Sequence, residues 1–372
     1  MSGGNGTIGD LGEREVIRRI AARIPDGPGV TLGVGDDAAA VETGPLTLVT
    51  SDSLVEGVHF RRDWSPPRLV GRKALSVNLS DIAAMAGVPR FATVSLCLPP
   101  DLHMVFVEAL YDGLLEKAAE AGVHIVGGNV SSSTSQVVVD VTVLGQGDRL
   151  LPRSGAKPGD LAVVTGKLGA AAVGLTLLRQ GARLTEDGYL FSTGLWTESS
   201  AEPVVHCLRA ALDPGPPLVL ARSLAEHDIV HAAIDISDGL SGDMLAMCEA
   251  SGLSATIDPS GVPIDEHASR LMRTQGRDDF EVALHGGEDY QLLFALPADR
   301  LEKLNDLAIV WDLPISIVGH FTEGKPGVMI ETDIEPVPLE PRSWDHYPSQ
   351  KPSKREGDHA GKETTREIKS PG

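Results

Sequence analysis

A chain of 372 residues with a net charge of −20, from 32 Lys+Arg against 52 Asp+Glu, has no positive field with which to hold nucleic acid or an anionic membrane. Hydrophobic residues make up 42% and aromatics only 4%, so the core is aliphatic, and this length predicts two domains rather than one. Three widely spaced cysteines without a C-x-x-C exclude a disulfide framework and a cysteine-built zinc site.

In chain order, Val16, Ile17, Ile20 and Ile24 recur at helical spacing, and the Pro/Gly cluster at 25–29 ends that helix. Segments 30–41 and 46–51 read as a strand pair joined by Glu42-Thr43-Gly44-Pro45, with 51–60 extended after them. Ser65-Pro66-Pro67 signals a helix start, with Ser65 as N-cap, and the helix runs over 68–85 to Gly87. Asn78 and Asp81, three apart, then share one face of it. A strand at 91–98, a helix at 101–121 and strands at 123–130 and 136–146 around Gly127-Gly128-Asn129 complete the first half. The expected fold is a mixed sheet with a helical cover on one side. Its other face invites a partner chain, so a homodimer is expected.

Pro, Gly and charge concentrate at 150–160, the expected domain junction. Beyond it come a strand at 161–165, a helix at 170–180, a loop over 181–200, helices at 201–212 and 216–227, a strand at 229–236 and a helix at 240–250. Further strand and helix signals at 253–257, 266–273, 291–296, 297–307 and 315–318 make this half α/β, interrupted by His285-Gly286-Gly287-Glu288-Asp289-Tyr290. Residues 349–372 have almost no large hydrophobes and read as a disordered tail. The expected domains are thus 1–149 and 150–348. Residues 1–6 hold no apolar targeting segment, no stretch reaches the length of a membrane span, and the expected location is the cytoplasm.

Acidic punctuation recurs along this chain. Gly35-Asp36-Asp37, Thr50-Ser51-Asp52, Asn78-Leu79-Ser80-Asp81 and Asp235-Ile236-Ser237-Asp238 each lie beside an apolar segment. One such loop is an ordinary solvated turn; four predict a distributed site for hard cations, which take oxygen ligands. No G-x-x-x-x-G-K-[ST] is present, no G-x-G-x-x-G opens a helix, and no H-R-D or D-F-G set occurs. A phosphate substrate would therefore meet this acidic protein through metal ions.

Longer motifs carry a resemblance. Ser51-Asp52-Ser53-Leu54-Val55-Glu56-Gly57-Val58-His59-Phe60, Lys73-Ala74-Leu75-Ser76-Val77-Asn78-Leu79-Ser80-Asp81, Arg153-Ser154-Gly155-Ala156-Lys157-Pro158-Gly159-Asp160, Asp235-Ile236-Ser237-Asp238-Gly239-Leu240 and Gly286-Gly287-Glu288-Asp289-Tyr290 follow one another as in thiamine-monophosphate kinases. With Gly35-Asp36-Asp37, the chain resembles that family, of the aminoimidazole-ribonucleotide-synthetase-like superfamily, over residues 10–348. The resemblance implies an N-terminal sheet paired across a homodimer, an α/β C-terminal domain, and ATP held by several Mg²⁺ ions. The implied reaction is direct phosphorylation of thiamine monophosphate to thiamine diphosphate.

Residue by residue, the resemblance makes Asp37, Asp52, Asp81, Asp235 and Asp238 metal ligands, with Thr50 and Ser51 supplying further oxygens. It places Gly128, Asn129, Arg153 and Ser237 at the nucleotide, and His59, Glu288 and Trp344 at thiamine phosphate. The acceptor phosphate is already ionised at neutral pH, so no strong general base is required and His59 is not given that role. One departure stands out. The family's Gly-Gly-Asp is here Gly127-Gly128-Asn129, which keeps a carbonyl oxygen for the metal but loses a charge. That substitution keeps open a non-catalytic nucleotide-binding homologue. Another ATP-using synthetase of the superfamily is a further alternative; selenophosphate synthesis would need a reactive cysteine near the N-terminus, and the first here is Cys97.

Overall fold

Strict alternation in the first half builds a sheet with two unlike faces. The computed structural model describes residues 7–25, 27–32, 39–44, 46–185, 188–191, 198–310 and 314–342. The first elements are α1 (Ile8–Leu11), α2 (Glu13–Ala21), β1 (Val30–Leu32), β2 (Ala40–Val41), β3 (Thr47–Val55), α3 (Pro67–Ala84), β4 (Val88–Leu98), α4 (Met104–Ala121), β5 (His124–Ser132) and β6 (Val138–Gln146). The last four strands form one sheet of order β3-β6-β4-β5, antiparallel except for the β4–β5 pair. Along β6, Val139, Val141 and Val143 are fully buried, while Asp140, Thr142 and Leu144 point the other way. The valine face packs with Leu75, Leu79 and Ile82 of α3 and Leu110 and Leu114 of α4. The opposite face is polar: one row across the sheet reads Ser53, Asp140, Ser95, Asn129.

The mixed sheet with a helical cover is thus present, with one rearrangement. Among the described residues, segments 30–41 and 46–51 do not pair with each other. β1 pairs with β2 in a separate ribbon, and β3 runs on to Val55 as a full-length partner of β6. The polar start of 51–60, read as merely extended, is the outer half of that strand. Its Ser and Asp residues alternate between faces, which hides the strand from a hydrophobicity count.

α3 is the axis of the molecule, buried nearly all round. Its ends and packing follow from small residues. Pro66 and Pro67 occupy the first positions, and the helix has no side-chain cap; the Ser65 hydroxyl, expected to cap it, is buried without a partner. Prolines lack the N–H groups a cap would satisfy, which leaves Ser65 less to do. α3 also touches α4 at backbone distance. A Cβ on Gly71 would sit 1.9 Å from the Leu110 carbonyl oxygen, and one on Gly113 1.8 Å from that of Arg68. Only glycine permits this approach.

The second half contains β7 (Leu161–Thr165), α5 (Ala170–Arg179), β8 (Arg183–Leu184), β9 (Leu190–Phe191), α6 (Glu198–Leu212), α7 (Leu218–Glu226), β10 (Ala232–Ile236), α8 (Leu240–Ser251), β11 (Ser254–Ile257), α9 (Glu266–Thr274), α10 (Asp279–His285), β12 (Gln291–Leu296), α11 (Leu301–Val310), β13 (Ile315–Thr322), β14 (Gly327–Ile330) and β15 (Val337–Pro338). Its sheet has the order β10-β12-β7-β13-β11-β14-β15, with β11–β14 the parallel pair. Its central strands β7, β10 and β12 are covered on both faces and are almost wholly apolar. Leu293 and Ala295 meet Met244 and Met247 of α8 on one side, while Leu292, Phe294 and Leu296 meet Leu220 and Leu224 of α7 on the other. Ala83 and Ala84, at the end of α3, join that second core and tie the halves together. Within the 181–200 stretch, read as a loop, the β8–β9 ribbon forms and α6 begins. Among the described residues, no helix is long and apolar enough to cross a membrane.

Candidate active site

Three of the acidic loops converge where α3 passes from one sheet to the other. β3 turns Thr50 and Asp52 towards α3, and the Thr50 hydroxyl donates to Asp81 Oδ2 at 2.5 Å. From the second half, β10 brings its penultimate residue Asp235, 6% exposed, which accepts from the Ser80 hydroxyl at 2.8 Å. Asp52, Asp81, Asp235 and Asp238 line one cleft of about 620 Å³ together with Ser237, His59 and Glu288. Leu54, Val58, Val77, Leu175 and Val282 form its apolar wall, and Arg179 and Arg277 stand on its lining as well.

The carboxylates are crowded to the point of holding protons. Burial, then the charge of Asp81 and a hydrogen bond with it, push Asp52 up to about 6. Burial and Asp81 push Asp235 up to about 7. Asp243, in the first turn of α8, is pushed up to about 8 by burial and then by Asp235 and Asp238. It accepts from the Asp238 and Gly239 backbone N–H groups at 3.1 Å each. Among the described residues, no lysine or arginine pairs with Asp52, Asp81 or Asp235. Such a donor set fits a divalent cation, which displaces the shared protons and supplies the missing positive charge. It is not a closed cage: among the described residues no three ligands converge on one point. Mg²⁺ suits this arrangement, since it is bound by one or two carboxylates and completes its shell with waters and substrate phosphates.

A linked pH dependence follows. Unfolded aspartates titrate near 4, so between about pH 5 and 8 the folded protein binds more protons than the unfolded chain and loses stability as pH rises. His206, raised by its hydrogen bond to Asp265, adds a loss of the same sign. Without metal, the melting temperature is expected to be lower at pH 8 than at pH 5.5. Mg²⁺ with nucleotide should restore about 5 °C or more at pH 8, and less at pH 5.5, in a thermal-denaturation series. A Mg²⁺ effect independent of pH would remove the cleft from this explanation.

The other expected residues are placed as follows. His59 Nδ1 accepts the Val55 N–H at 3.0 Å, so in the neutral ring the proton sits on Nε2, making that nitrogen a donor rather than a base. Glu288 and Tyr290 adopt positive φ, +68° and +48°, in a loop fastened by the Glu288 N–H to the Ser237 carbonyl at 2.7 Å. A Cβ on Gly287 would meet that same carbonyl at 2.5 Å, so the two loops touch only because it is glycine. Ser51 faces the open side of the sheet, sharing a hydrogen bond with Thr142 at 2.9 Å. Asn129 lies on that open side too, and Gly128 packs where a Cβ would be 2.0 Å from the Val94 carbonyl oxygen. Arg153 is exposed outside the cleft, its carbonyl accepting from Ser251. Asp37 and Trp344 lie outside the described residues. Four groups at or near the site carry no role in the sequence reading: Lys73 and Ser80, which stand inside motifs quoted there, and Asp243 and the Arg179–Arg277 pair, which do not. Ser80 and Asp243 each sit within a few residues of a predicted ligand, which was the available signal.

Comparison with known proteins agrees with this two-half fold. Residues 35–146 match the AIR synthase related protein family, N-terminal domain, and residues 157–331 match its C-terminal domain. Thiamine-monophosphate kinase of Bacillus subtilis is 33% identical over 344 residues, 91% of this chain and 100% of the relative. This chain belongs to the thiamine-monophosphate kinase family. Among solved structures, the family's enzyme from Stenotrophomonas maltophilia K279a superposes with a TM-score of 0.72 at 33% identity, covering 85% of this chain and 94% of that one. A structure described as AaThiL complexed with AMPPCP and TMP gives 0.71 at 31% identity, covering 91% and 97%. Members of the family share the two-half architecture seen here, and the cleft between the halves is where this chain gathers its carboxylates.

Proposed function

We propose that this protein transfers the terminal phosphoryl group of ATP directly to the phosphate of thiamine monophosphate, releasing ADP and thiamine diphosphate. The observation that carries the reading is that Asp52, Asp81 and Asp235 line one cleft together with an apolar wall and Glu288. Family membership supports it, and so does the AMPPCP and TMP complex of a relative.

Asp52, Asp81 and Asp235, with Asp238, the Thr50 hydroxyl and Asp37, would hold Mg²⁺ in the cleft; Ser51 and Asn129, on the open face of the same sheet, are proposed for a further Mg²⁺ where a second copy covers that face. Bound there, Mg²⁺ neutralises phosphate charge and aligns the donor and acceptor oxygens. Thr50 and Ser80 fix the rotamers of Asp81 and Asp235. The Nε2–H of His59 is a donor for a phosphate oxygen. The apolar wall keeps water from the transferring group, and Glu288 offers a negative charge to the cationic thiazolium. No side chain need accept a proton, because the attacking phosphate is ionised. Gly128, Asn129, Arg153 and Ser237 are proposed for the nucleotide, and Trp344 for stacking on the thiamine ring. A second copy of the chain is proposed to cover the open sheet face that carries Ser53, Asp140, Ser95 and Asn129, so that 1–149 forms the dimer and 150–348 closes the cleft.

The direct test is incubation with ATP, Mg²⁺ and thiamine monophosphate, with the product identified by chromatography. Thiamine diphosphate is expected; ATP binding without turnover would instead establish the non-catalytic homologue that Asn129 suggests. Asn129→Asp is expected to lower the Mg²⁺ concentration for half-maximal rate roughly several-fold by restoring a charged ligand. An unchanged Mg²⁺ requirement would detach Asn129 from the metal.

A further inference from the structure

α3 carries more than metal chemistry on its cleft face. Lys73, Val77, Ser80 and Asp81 recur at spacings of four, three and one, within roughly 100° of arc at 3.6 residues per turn. Val77 and Asp81 line the cleft, and Ser80 holds Asp235. Lys73 lies eight residues before Asp81, about 12 Å along the axis at 1.5 Å per residue. Its side chain is only 5% exposed, and its ammonium reaches across to the second half, 3.0 Å from Glu288 Oε1. A buried ammonium persists only where it is paired, so this contact fixes both groups. The Glu288 side chain stays 26% exposed and lines the cleft. Its backbone is already held in a left-handed conformation by the Ser237 carbonyl. One carboxylate oxygen is therefore committed to Lys73, which leaves the other to face a ligand.

We infer that Lys73 is the positioning residue for the thiamine end of the cleft, holding the Glu288 carboxylate where it meets the cationic ring of the substrate. The inference rests on the function proposed above. One rigid helix then sets the separation between the phosphoryl-transfer end, through Asp81, and the substrate-reading end, through Lys73. A lysine with no contact to the reacting phosphates thereby governs the affinity for one substrate and not the other.

The test uses the full chain with Lys73→Met, Lys73→Arg, Glu288→Gln and the Lys73→Met/Glu288→Gln double variant, measuring KM for thiamine monophosphate and for ATP separately, with a melting curve for each. Lys73→Met is expected to raise KM for thiamine monophosphate by about 10-fold or more while KM for ATP stays within about 2-fold. Lys73→Arg, which keeps the charge, should recover most of that loss. The double variant should be no worse than Glu288→Gln alone, since the two residues act as one unit. Equal rises in both KM values, or additive losses in the double variant, would overturn the inference. If Lys73→Met does not fold, the same split is read from Lys73→Arg and Glu288→Gln: an ATP defect matching the thiamine monophosphate defect in either would overturn it. Wild-type turnover tests the function separately. Should the wild type bind but not turn over, calorimetric Kd values for thiamine monophosphate replace KM, and absence of any binding would reject the positioning role.

Discussion

Asp81→Asn is expected to abolish phosphoryl transfer while making the metal-free protein more stable. Asp81 links the two halves of the acidic cluster: it accepts from Thr50, shares a hydrogen bond with Asp52, and its charge raises both Asp52 and Asp235. On the proposed function, removing that charge withdraws a ligand from the ions that would neutralise the phosphates. A fall in kcat/KM of about 10³-fold, roughly 4 kcal/mol of transition-state stabilisation, is the expected size. The same change relieves repulsion in the empty cluster, and the amide oxygen still accepts from Thr50. The melting temperature without metal should therefore rise by about 2–4 °C at pH 8. Opposite signs in the two measurements mark a functional carboxylate. A loss of both activity and stability would make Asp81 a structural residue.

Asp289→Ala carries the largest expected loss of stability. The carboxylate is buried, accepts the Gly169 N–H at 2.8 Å and the Ala171 N–H at 3.4 Å, and so caps the start of α5 from a loop 120 residues away. Burial outweighs those bonds and pushes the group up to about 7. Truncation leaves two buried N–H groups unpaired and frees the loop that presents Glu288. A loss of about 2–4 kcal/mol is expected, read as a lowered midpoint in urea with an unchanged slope. Asp289→Asn keeps an acceptor oxygen and should lose less. Equal stability of the alanine variant and wild type would mean that α5 needs no cap from this loop.

Much of this was legible in the chain, and the gaps have physical causes. The buried strands at 161–165 and 291–296 announce themselves as unbroken apolar runs, because sheet covered on both faces needs no polar alternate. The outer part of β3 did not, because Ser51, Asp52 and Ser53 put polar atoms on both faces. Asp52, Asp81 and Asp235 could be named from their motifs, yet their meeting depends on α3 bridging two sheets, which no local pattern encodes. Lys73 and Asp289 were least visible. Each acts through a partner more than 100 residues away, and neither residue type signals a role at its own position. Ser51 and Thr50 are neighbours in sequence but point to opposite faces of β3, a consequence of the two-residue period of a strand.

On the proposed function, carboxylates from β3, α3 and β10 jointly hold divalent ions on a polyphosphate. Crystals grown with Mn²⁺ and a non-hydrolysable ATP analogue test it through anomalous scattering. Peaks within about 2.3 Å of Asp52, Asp81 and Asp235 oxygens, bridged to the phosphates, are the predicted result. Mn²⁺ peaks and nucleotide located away from these three side chains would contradict it.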